Sequence, residues 1–366
     1  MKHRGILFVL AVASCGVAVS AQTSGNDSSP TSPAGQAQTT PAAQASSPQT
    51  SPAQIAPPQA AAPTSTAANA PASPPAAQQS STQEDESVAT IRKTVNEVNV
   101  VFTVTDKHGR YVKDLKKEDF KFVDDSKPAE DVKDFRTQTD LPLQVGLLVD
   151  ASNSVRDRFK FEQESAIEFL NQTVRPKYDT AFVVGFDVTP EVTQDFTDNT
   201  EALSRGVRLL RPGGGTAMFD ALYFACRDKL LKAPRSGPLR RAIILLSDGE
   251  DNQSHVTREE AIEMAQRAEV IVYTISTNIT GMKAKGDRVL ERIADTTGGR
   301  AFFPFQIRDV ANAFVEIQDE LRSQYAVSYK PADFKLDGRY RTIEIVAMDH
   351  RNFHVRSRRG YFAPTR

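Results

Sequence analysis

The sequence predicts an α/β fold built on a doubly wound, mostly parallel sheet, with flanking β-rich segments and a disordered N-terminal tether. Three observations carry this reading. Between about residues 140 and 324, the near-continuous apolar runs "LQVGLLVD", "TAFVVGFD", "RAIILLSD", "VIVYTIST" and "RAFFPF" alternate with longer helical patterns. Runs apolar on both faces suit strands covered by helices on both sides. On the N-terminal side of this region, Val98, Val100, Phe102 and Val104 stand at period two, the mark of a half-buried strand. Before that, residues 22–87 are almost only Ala, Pro, Ser, Thr and Gln, without an aromatic side chain between Phe8 and Phe102. Such a stretch buries too little apolar surface to offset chain entropy.

Taken in order, residues 1–21, "MKHRGILFVLAVASCGVAVSA", show a short basic start, an apolar stretch and a small-residue exit at Val19-Ser20-Ala21, the pattern of a secretory signal peptide. The chain is therefore expected to be exported, to a periplasmic, cell-surface or secreted location. "VASC", Val12 to Cys15, supports a competing reading as a lipoprotein signal with Cys15 as the lipid-bearing residue, which would anchor the chain to the envelope. No second segment is long enough to span a bilayer in the mature chain. Cys15 and Cys226 are the two cysteines, so no intramolecular disulfide is expected in the folded part. Cys226, within "DALYFACRDKLL", fits an apolar helical face better than a reactive thiol.

Residues 22–87 read as a tether, spanning about 45 Å root-mean-square as a flexible chain, or equally as an unanchored tail. Residues 88–139 form an N-terminal β-rich segment, with turn signals at His108-Gly109 and Ser126-Lys127-Pro128. Residues 140–324 form the α/β domain. Its helices are marked by the stripe Ala166, Ile167, Leu170 and Val174, by a capping box at Thr257 and Glu260, and by a stop at Gly298-Gly299. Residues 325–366 return to strand-like runs, "YAVSYKP", "RYRTIEIVA" and "FHVRSRRGYFA", separated at Asp337-Gly338 and at Asp349 to Asn352. Each β-rich end offers few strands of its own, so the two are expected to pair.

The charge balance excludes one function class. With 45 Lys and Arg against 46 Asp and Glu, no net field steers the chain toward nucleic acid. The basic cluster Arg351, Arg356, Arg358 and Arg359 is read as a solvated strand face ahead of a site for anionic polymer or lipid headgroups. Nucleotide chemistry also lacks its signatures, because "RPGGGTAMFD" has no Gly-Lys-[Ser/Thr] ending and no G-x-G-x-x-G leads from a strand into a helix. No G-x-S-x-G elbow is present, and His3 of the five histidines lies in the leader. His350 and His354 imitate a zinc spacing but lack the Glu of H-E-x-x-H, and are taken as structural.

In an open α/β sheet, ligands bind outside the carboxyl ends of the strands. Asp150 ends the run "VGLLVD", and Ser152 and Ser154 follow at alternate positions. Thr216 lies in the glycine-rich "RPGGGTAMFDAL" and Asp248 heads "DGEDN" after another strand. All five side chains carry oxygen and sit where loops converge, which suits a hard cation. Helix capping alone accounts for one such loop but not for three. Asp220 is expected to orient its loop from the start of a helix, and Glu250 and Asp251 to be solvated loop residues.

The three pieces "DASNS", "GGGTAMFD" and "SDGED" resemble the metal-ion-dependent adhesion site of von Willebrand factor type A (VWA) domains, written D-x-S-x-S, a Thr in a glycine-rich loop, and an Asp heading D-G. The resemblance runs from Leu143 to near Leu321, about half the chain. It implies Mg2+, with Mn2+ or Ca2+ as alternatives, held by Asp150, Ser152, Ser154, Thr216 and Asp248. An octahedral cation that keeps waters suits this mixture of hydroxyls and carboxylates. It further implies a protein partner whose Asp or Glu carboxylate fills the open coordination position, and so an exported adhesion or scaffolding module. Two alternatives stand beside it: a metal-dependent hydrolase or accessory subunit of an envelope enzyme, and a structural scaffold whose metal site is incidental.

Overall fold

The computed structural model describes residues 97–137, 141–234, 239–278, 282–306, 308–348 and 352–365. The expected leader and tether, His350 and Arg351 lie outside them. The chain opens with β1 (Val98–Thr105), β2 (Phe120–Asp124), β3 (Lys127–Pro128) and β4 (Asp131–Thr137). The central region runs β5 (Leu143–Asp150), α1 (Phe159–Thr173), β6 (Thr180–Phe186), β7 (Pro190–Thr197), α2 (Thr200–Leu209) and α3 (Met218–Phe224). It continues through β8 (Arg240–Ser247), α4 (Arg258–Arg267), β9 (Ile271–Ser276), α5 (Lys285–Thr297), β10 (Ala301–Phe302) and α6 (Asp309–Leu321). The last strands are β11 (Tyr325–Lys330), β12 (Tyr340–Ala347), β13 (His354–Ser357) and β14 (Gly360–Phe362).

The central strands form one sheet in the order β10-β9-β8-β5-β6-β7, parallel except for β7. Alternation along each inner strand divides two cores. Val145, Leu147 and Val149 of β5, with Ala242, Ile244 and Leu246 of β8, face α1, α2 and α6 through Phe159, Leu203, Val207 and Phe314. Leu148, Ile243 and Leu245 face the other way, onto α3, α4 and α5 through Met218, Ala261, Ala265, Leu290 and Ile293. Successive side chains on a strand point to opposite faces, so a strand covered on both sides must be apolar along its covered length, as β5 is from Val145 to Val149 and β8 from Ala242 to Leu246. Because each core takes about 2 kcal/mol per buried aliphatic side chain out of water, the sheet holds its register without a disulfide. Cys226 is buried in a π-helical turn over Ala225–Leu230 that prolongs α3, and burial pushes its thiol far above the usual range.

Strand β7 departs from the expected runs. Its "PEVTQDFT" is half-exposed and carries one strongly apolar face at most, because it closes the sheet as an antiparallel edge. An edge strand needs no second apolar face, and so leaves no continuous run to read.

Strands from before and after the central sheet interleave. One flanking sheet has the order β13-β1-β11-β4 and the other β14-β12-β2-β3, all antiparallel. Their inner faces share a core of Val98, Val100, Phe102 and Val104 from β1, Phe120 and Phe122 from β2, and Tyr325, Val327, Ile343, Ile345 and Tyr361 from the C-terminal strands. Phe102 meets Phe120 edge-on at 5.1 Å and stacks on Tyr325 at 5.4 Å between centroids.

Of the three described members of the basic C-terminal cluster, two do not stand wholly in solvent. Arg356 places Nη1 3.0 Å from both carboxylate oxygens of Glu320, which is wholly buried at the end of α6. Arg358 is also buried, and donates to the Asn99 carbonyl at 2.8 Å. Arg359 fits the expected exposure, 3.8 Å from Asp295. Burying a carboxylate is costly unless it is paired and hydrogen-bonded, and Glu320 has both kinds of partner: Tyr111 Oη (2.9 Å) and Tyr273 Oη (3.3 Å) donate to it besides Arg356. At the turn after α5, Gly298 adopts φ 87° and lies so close to the backbone of Arg358 that a Cβ there would come within 2.4 Å, which only glycine allows. Among the described residues, no helix is long and apolar enough to cross a membrane.

Candidate metal site

The five oxygen-bearing residues stand on three loops at one end of the central sheet. Parallel pairing of β5 and β8 brings Asp150, the last residue of β5, beside Ser247, the last of β8. Ser247 Oγ donates to Asp150 Oδ2 at 2.6 Å, and the Ser152 amide donates to Oδ1 at 2.9 Å. Ser152 Oγ and Ser154 Oγ are 2.9 Å apart, and Ser154 Oγ donates to Asp248 Oδ2 at 2.9 Å. The first and third loops are thus chained side chain to side chain.

The glycine-rich loop is held against both neighbours by its backbone. Gly213 N donates to Ala151 O (2.6 Å), and Gly214 O accepts from the amide of Asn153 (3.4 Å) and from its Nδ2 (3.3 Å). On the other side, Asn252 Oδ1 accepts from Thr216 N at 3.0 Å, while Asn252 N and Gln253 N donate to Thr216 O at 3.0 and 3.1 Å. Asp251 accepts from the Phe219 amide and from Ser254, and Asp220 accepts from the amides of His255 and Val256. Asp220 lies in the first turn of α3 and orients the loop. Asp251, expected to be an idle solvated residue, caps the same turn; Glu250 is the exposed one.

Asp150, Ser152 and Thr216 are buried, whereas Ser154 is exposed and Asp248 half-buried. The site therefore has a closed floor and an open side. Burial pushes the Asp150 carboxyl up to about 6, and the negative charge of Asp248 adds to the rise against the Ser247 and Ser152 hydrogen bonds. A buried carboxylate with a second one nearby is the environment that a divalent cation relieves. Three hydroxyls and two carboxylates form a hard-donor set, suited to Mg2+, Mn2+ or Ca2+. No group of three His, Cys, Asp or Glu side chains placed to hold a metal occurs among the described residues. The residues fit such an ion by the chemistry of their donors.

Below the floor lies a residue that sequence inspection passed over. Glu162 of α1 is fully buried, with Arg158 Nε 3.2 Å from Oε1 but out of line for a hydrogen bond. Burial pushes its carboxyl up to about 8, opposed by Arg158 and reinforced by the charge on Asp150. Arg158 also donates to Thr277 Oγ1 at 3.2 Å, and the Thr277 amide donates to Ser247 O. Ser247 and Asn252 were likewise missed; their signal is adjacency to Asp248 within "LLSDGEDN".

Residues 144–320 match the family model for the von Willebrand factor type A domain. This segment is a VWA domain. It is 28% identical over 171 residues to human von Willebrand factor A domain-containing protein 3B, a match that covers 44% of this chain and 12% of that protein. It is 30% identical over 180 residues to bovine calcium-activated chloride channel regulator 1, over 47% of this chain and 19% of that protein. The chain thus spans under a fifth of the length of either relative. Solved structures similar to it include mussel byssus proximal thread matrix protein 1 with a zinc-occupied MIDAS motif (17% identity, TM-score 0.44, 52% of this chain and 48% of that one). Another is the vWF domain of the type V pili tip protein Mfa5 from Porphyromonas gingivalis (16% identity, TM-score 0.39, 49% and 94%). In this VWA domain the six-stranded sheet supplies the edge, and the loops after β5 and β8, with the loop before α3, supply the five oxygen-bearing side chains.

Proposed function

We propose that the chain is an exported binding module whose VWA domain holds Mg2+ through Asp150, Ser152, Ser154, Thr216 and Asp248 and grips a partner protein by an Asp or Glu carboxylate. The observation that carries this is the hydrogen-bonded closure of the site, from Asp150 through Ser152 and Ser154 to Asp248, on a buried floor with an exposed side. When bound, the cation supplies an electrophilic position for a carboxylate oxygen. The hydroxyls contribute neutral ligands and so leave charge uncompensated, which draws an anionic partner group. Asp150 holds the floor, Ser247 and the Ser152 amide fix its orientation, and Asn252 holds the Thr216 loop in place. The interleaved β-sandwich serves as the platform. Residues 1–21 as leader, with Cys15 as the alternative lipid anchor, and 22–87 as tether complete the reading of an envelope or secreted location.

The test is a thermal melt of the full chain with Mg2+, with chelator, and with Asp150→Ala in Mg2+. At a hundredfold the dissociation constant the ion should add about 2.7 kcal/mol, or about 5 to 10 °C for a domain of this size. The shift should vanish in the variant. A melt indifferent to millimolar Mg2+ would leave the site without its ion and favour the scaffold reading.

A further inference from the structure

A cleft of about 260 Å3 opens beside the candidate metal site, lined by Met282, Lys283, Phe303, Pro304 and Phe305 over a floor of Asn278 and Asp287. It lies at the same end of the sheet as Asp150 and Asp248, because β9 and β10 run parallel to β8 and Phe303–Phe305 leave the carboxyl end of β10. Strands β8 and β10 are two places apart, about 10 Å at ordinary strand spacing.

Three features mark the cleft as a recognition surface. Its floor is fixed to the metal-site loop. The buried Asp287 carboxylate accepts from Ser276 Oγ (2.5 Å), Asn278 Nδ2 (3.0 Å) and the Ala284 amide (2.8 Å), and the preceding Gly286 packs so tightly on Asp248 that a Cβ would lie 2.1 Å from its carbonyl oxygen. Its walls leave a rigid aromatic and an adaptable thioether in water: Phe305 is 70% and Met282 78% exposed, the pairing that suits a side-chain anchor. Its rim is basic. Lys283, whose ammonium lies 5.1 Å from the Phe303 ring centroid, is paired with Glu291 at 2.6 Å, so the rim's outward charge comes from exposed Lys285 and Arg288 at the start of α5.

We infer that this cleft takes one large apolar side chain of an acidic, extended partner segment, about three residues from the carboxylate held at the metal site. The spacing follows from about 10 Å of separation at about 3.3 Å per extended residue. Exposed Lys285 and Arg288 complement the acidic segment, and the cleft floor is packed against the Asp248 loop through buried Gly286. The inference rests on the proposed carboxylate-binding role of the metal site and adds the specificity that a single carboxylate lacks.

The test pans a phage-displayed random short-peptide library on the immobilised full chain in millimolar Mg2+, with elution by chelator, in parallel on wild type, on Met282→Ser/Phe305→Ser and on Asp248→Ala. Both cleft residues are exposed, so the double variant should melt as wild type does. Wild type should select an acidic residue with an aromatic or large aliphatic residue about three positions away. The double variant should keep the acidic preference, lose the apolar one, and bind the selected wild-type peptide about five- to tenfold more weakly by fluorescence anisotropy, the loss expected for one side chain left in water. Acidic selection without apolar preference, or the same apolar preference on the double variant, would overturn the cleft assignment and leave the metal-site reading standing. Selection unaffected by chelator and by Asp248→Ala would overturn both. A full-chain dimer that the double variant dissolves would assign the face to a second copy instead.

Discussion

Ser154 Oγ donates to Asp248 Oδ2 across 2.9 Å, joining two side chains 94 positions apart in the sequence. The bond sits on the open side of the site, so it sets the distance between the first and third loops where an ion would enter. Ser154→Ala should leave the fold intact, since the side chain is exposed. It should weaken Mg2+ binding by about ten- to a hundredfold, the range typical when a ligand or its orienting partner is lost. Isothermal titration with Mg2+ measures this directly, and an unchanged affinity would remove Ser154 from the ligand set.

Glu162 gives the protein a pH dependence with a definite sign. Its buried carboxyl is raised to about 8 in the fold, against an ordinary value near 4.3. Between the two, the folded chain keeps a proton that the unfolded chain has released, so stability falls as pH rises through this window. The effect should reach a few kcal/mol by pH 8. Glu162→Gln should flatten the fall, as read by denaturant midpoints at pH 5 and pH 8; a slope equal to wild type would assign the dependence to other groups.

Arg356 is the cation of the buried Glu320. Arg356→Ala should strand that carboxylate with only the hydroxyls of Tyr111 and Tyr273, at about 3 to 5 kcal/mol. Tyr111→Phe removes one hydrogen bond and should cost about 1 to 3 kcal/mol. Urea unfolding followed by fluorescence and by circular dichroism would give both values, and Arg356→Ala should exceed Tyr111→Phe.

The glycine pair Gly249 and Gly286 packs backbone on backbone, with Gly249 at φ 78° and its Cβ position 2.3 Å from the Gly286 carbonyl oxygen. Gly286→Ala must push α5 away from the loop that carries Asp248. The expected cost is about 1 to 3 kcal/mol, together with weaker Mg2+ binding. Comparing melts in chelator and in Mg2+ separates the two, because the variant should lose stability in both and lose the ion-dependent rise as well.

The central sheet was legible because each inner strand must be apolar on both faces, and β5, β6, β8 and β9 write that demand as continuous runs. Thr257 and Glu260 announced the start of α4 by local chemistry alone, with the Thr257 side chain accepting from the Glu260 amide. Asp150, Ser152, Ser154 and Asp248 could be placed from the sequence because they close or follow β5 and β8, strands of known direction, whereas Thr216 lies between α2 and α3 and is marked only by its glycine-rich loop. The antiparallel edge β7 was not, as its one covered face leaves no run. Nor were Glu320 and Arg356, which are 36 positions apart and belong to different layers. Each looks like a surface charge in sequence, and only the packing of α6 against the flanking strands reveals that Glu320 is enclosed and Arg356 reaches in to pair with it. Asp251 was misjudged for the same reason: its partner amide, on Phe219, is 32 residues away.

The interleaving of the two chain ends has a mechanical consequence. The VWA domain is entered after β4 and left into β11, and these strands are neighbours, Thr137 opposite Tyr325, at the end of the molecule remote from Asp150. A pull on anything held at the far edge therefore reaches the platform through two covalent paths at once, and both leave the same side of one sheet. The rungs between β4 and β11 are not sheared, since both strands are drawn the same way. The strain passes instead to β1, which lies antiparallel along β11 from Val98 to Phe102. Those rungs must slide together rather than open one after another, so the attachment resists tension along the strands far better than peeling across them.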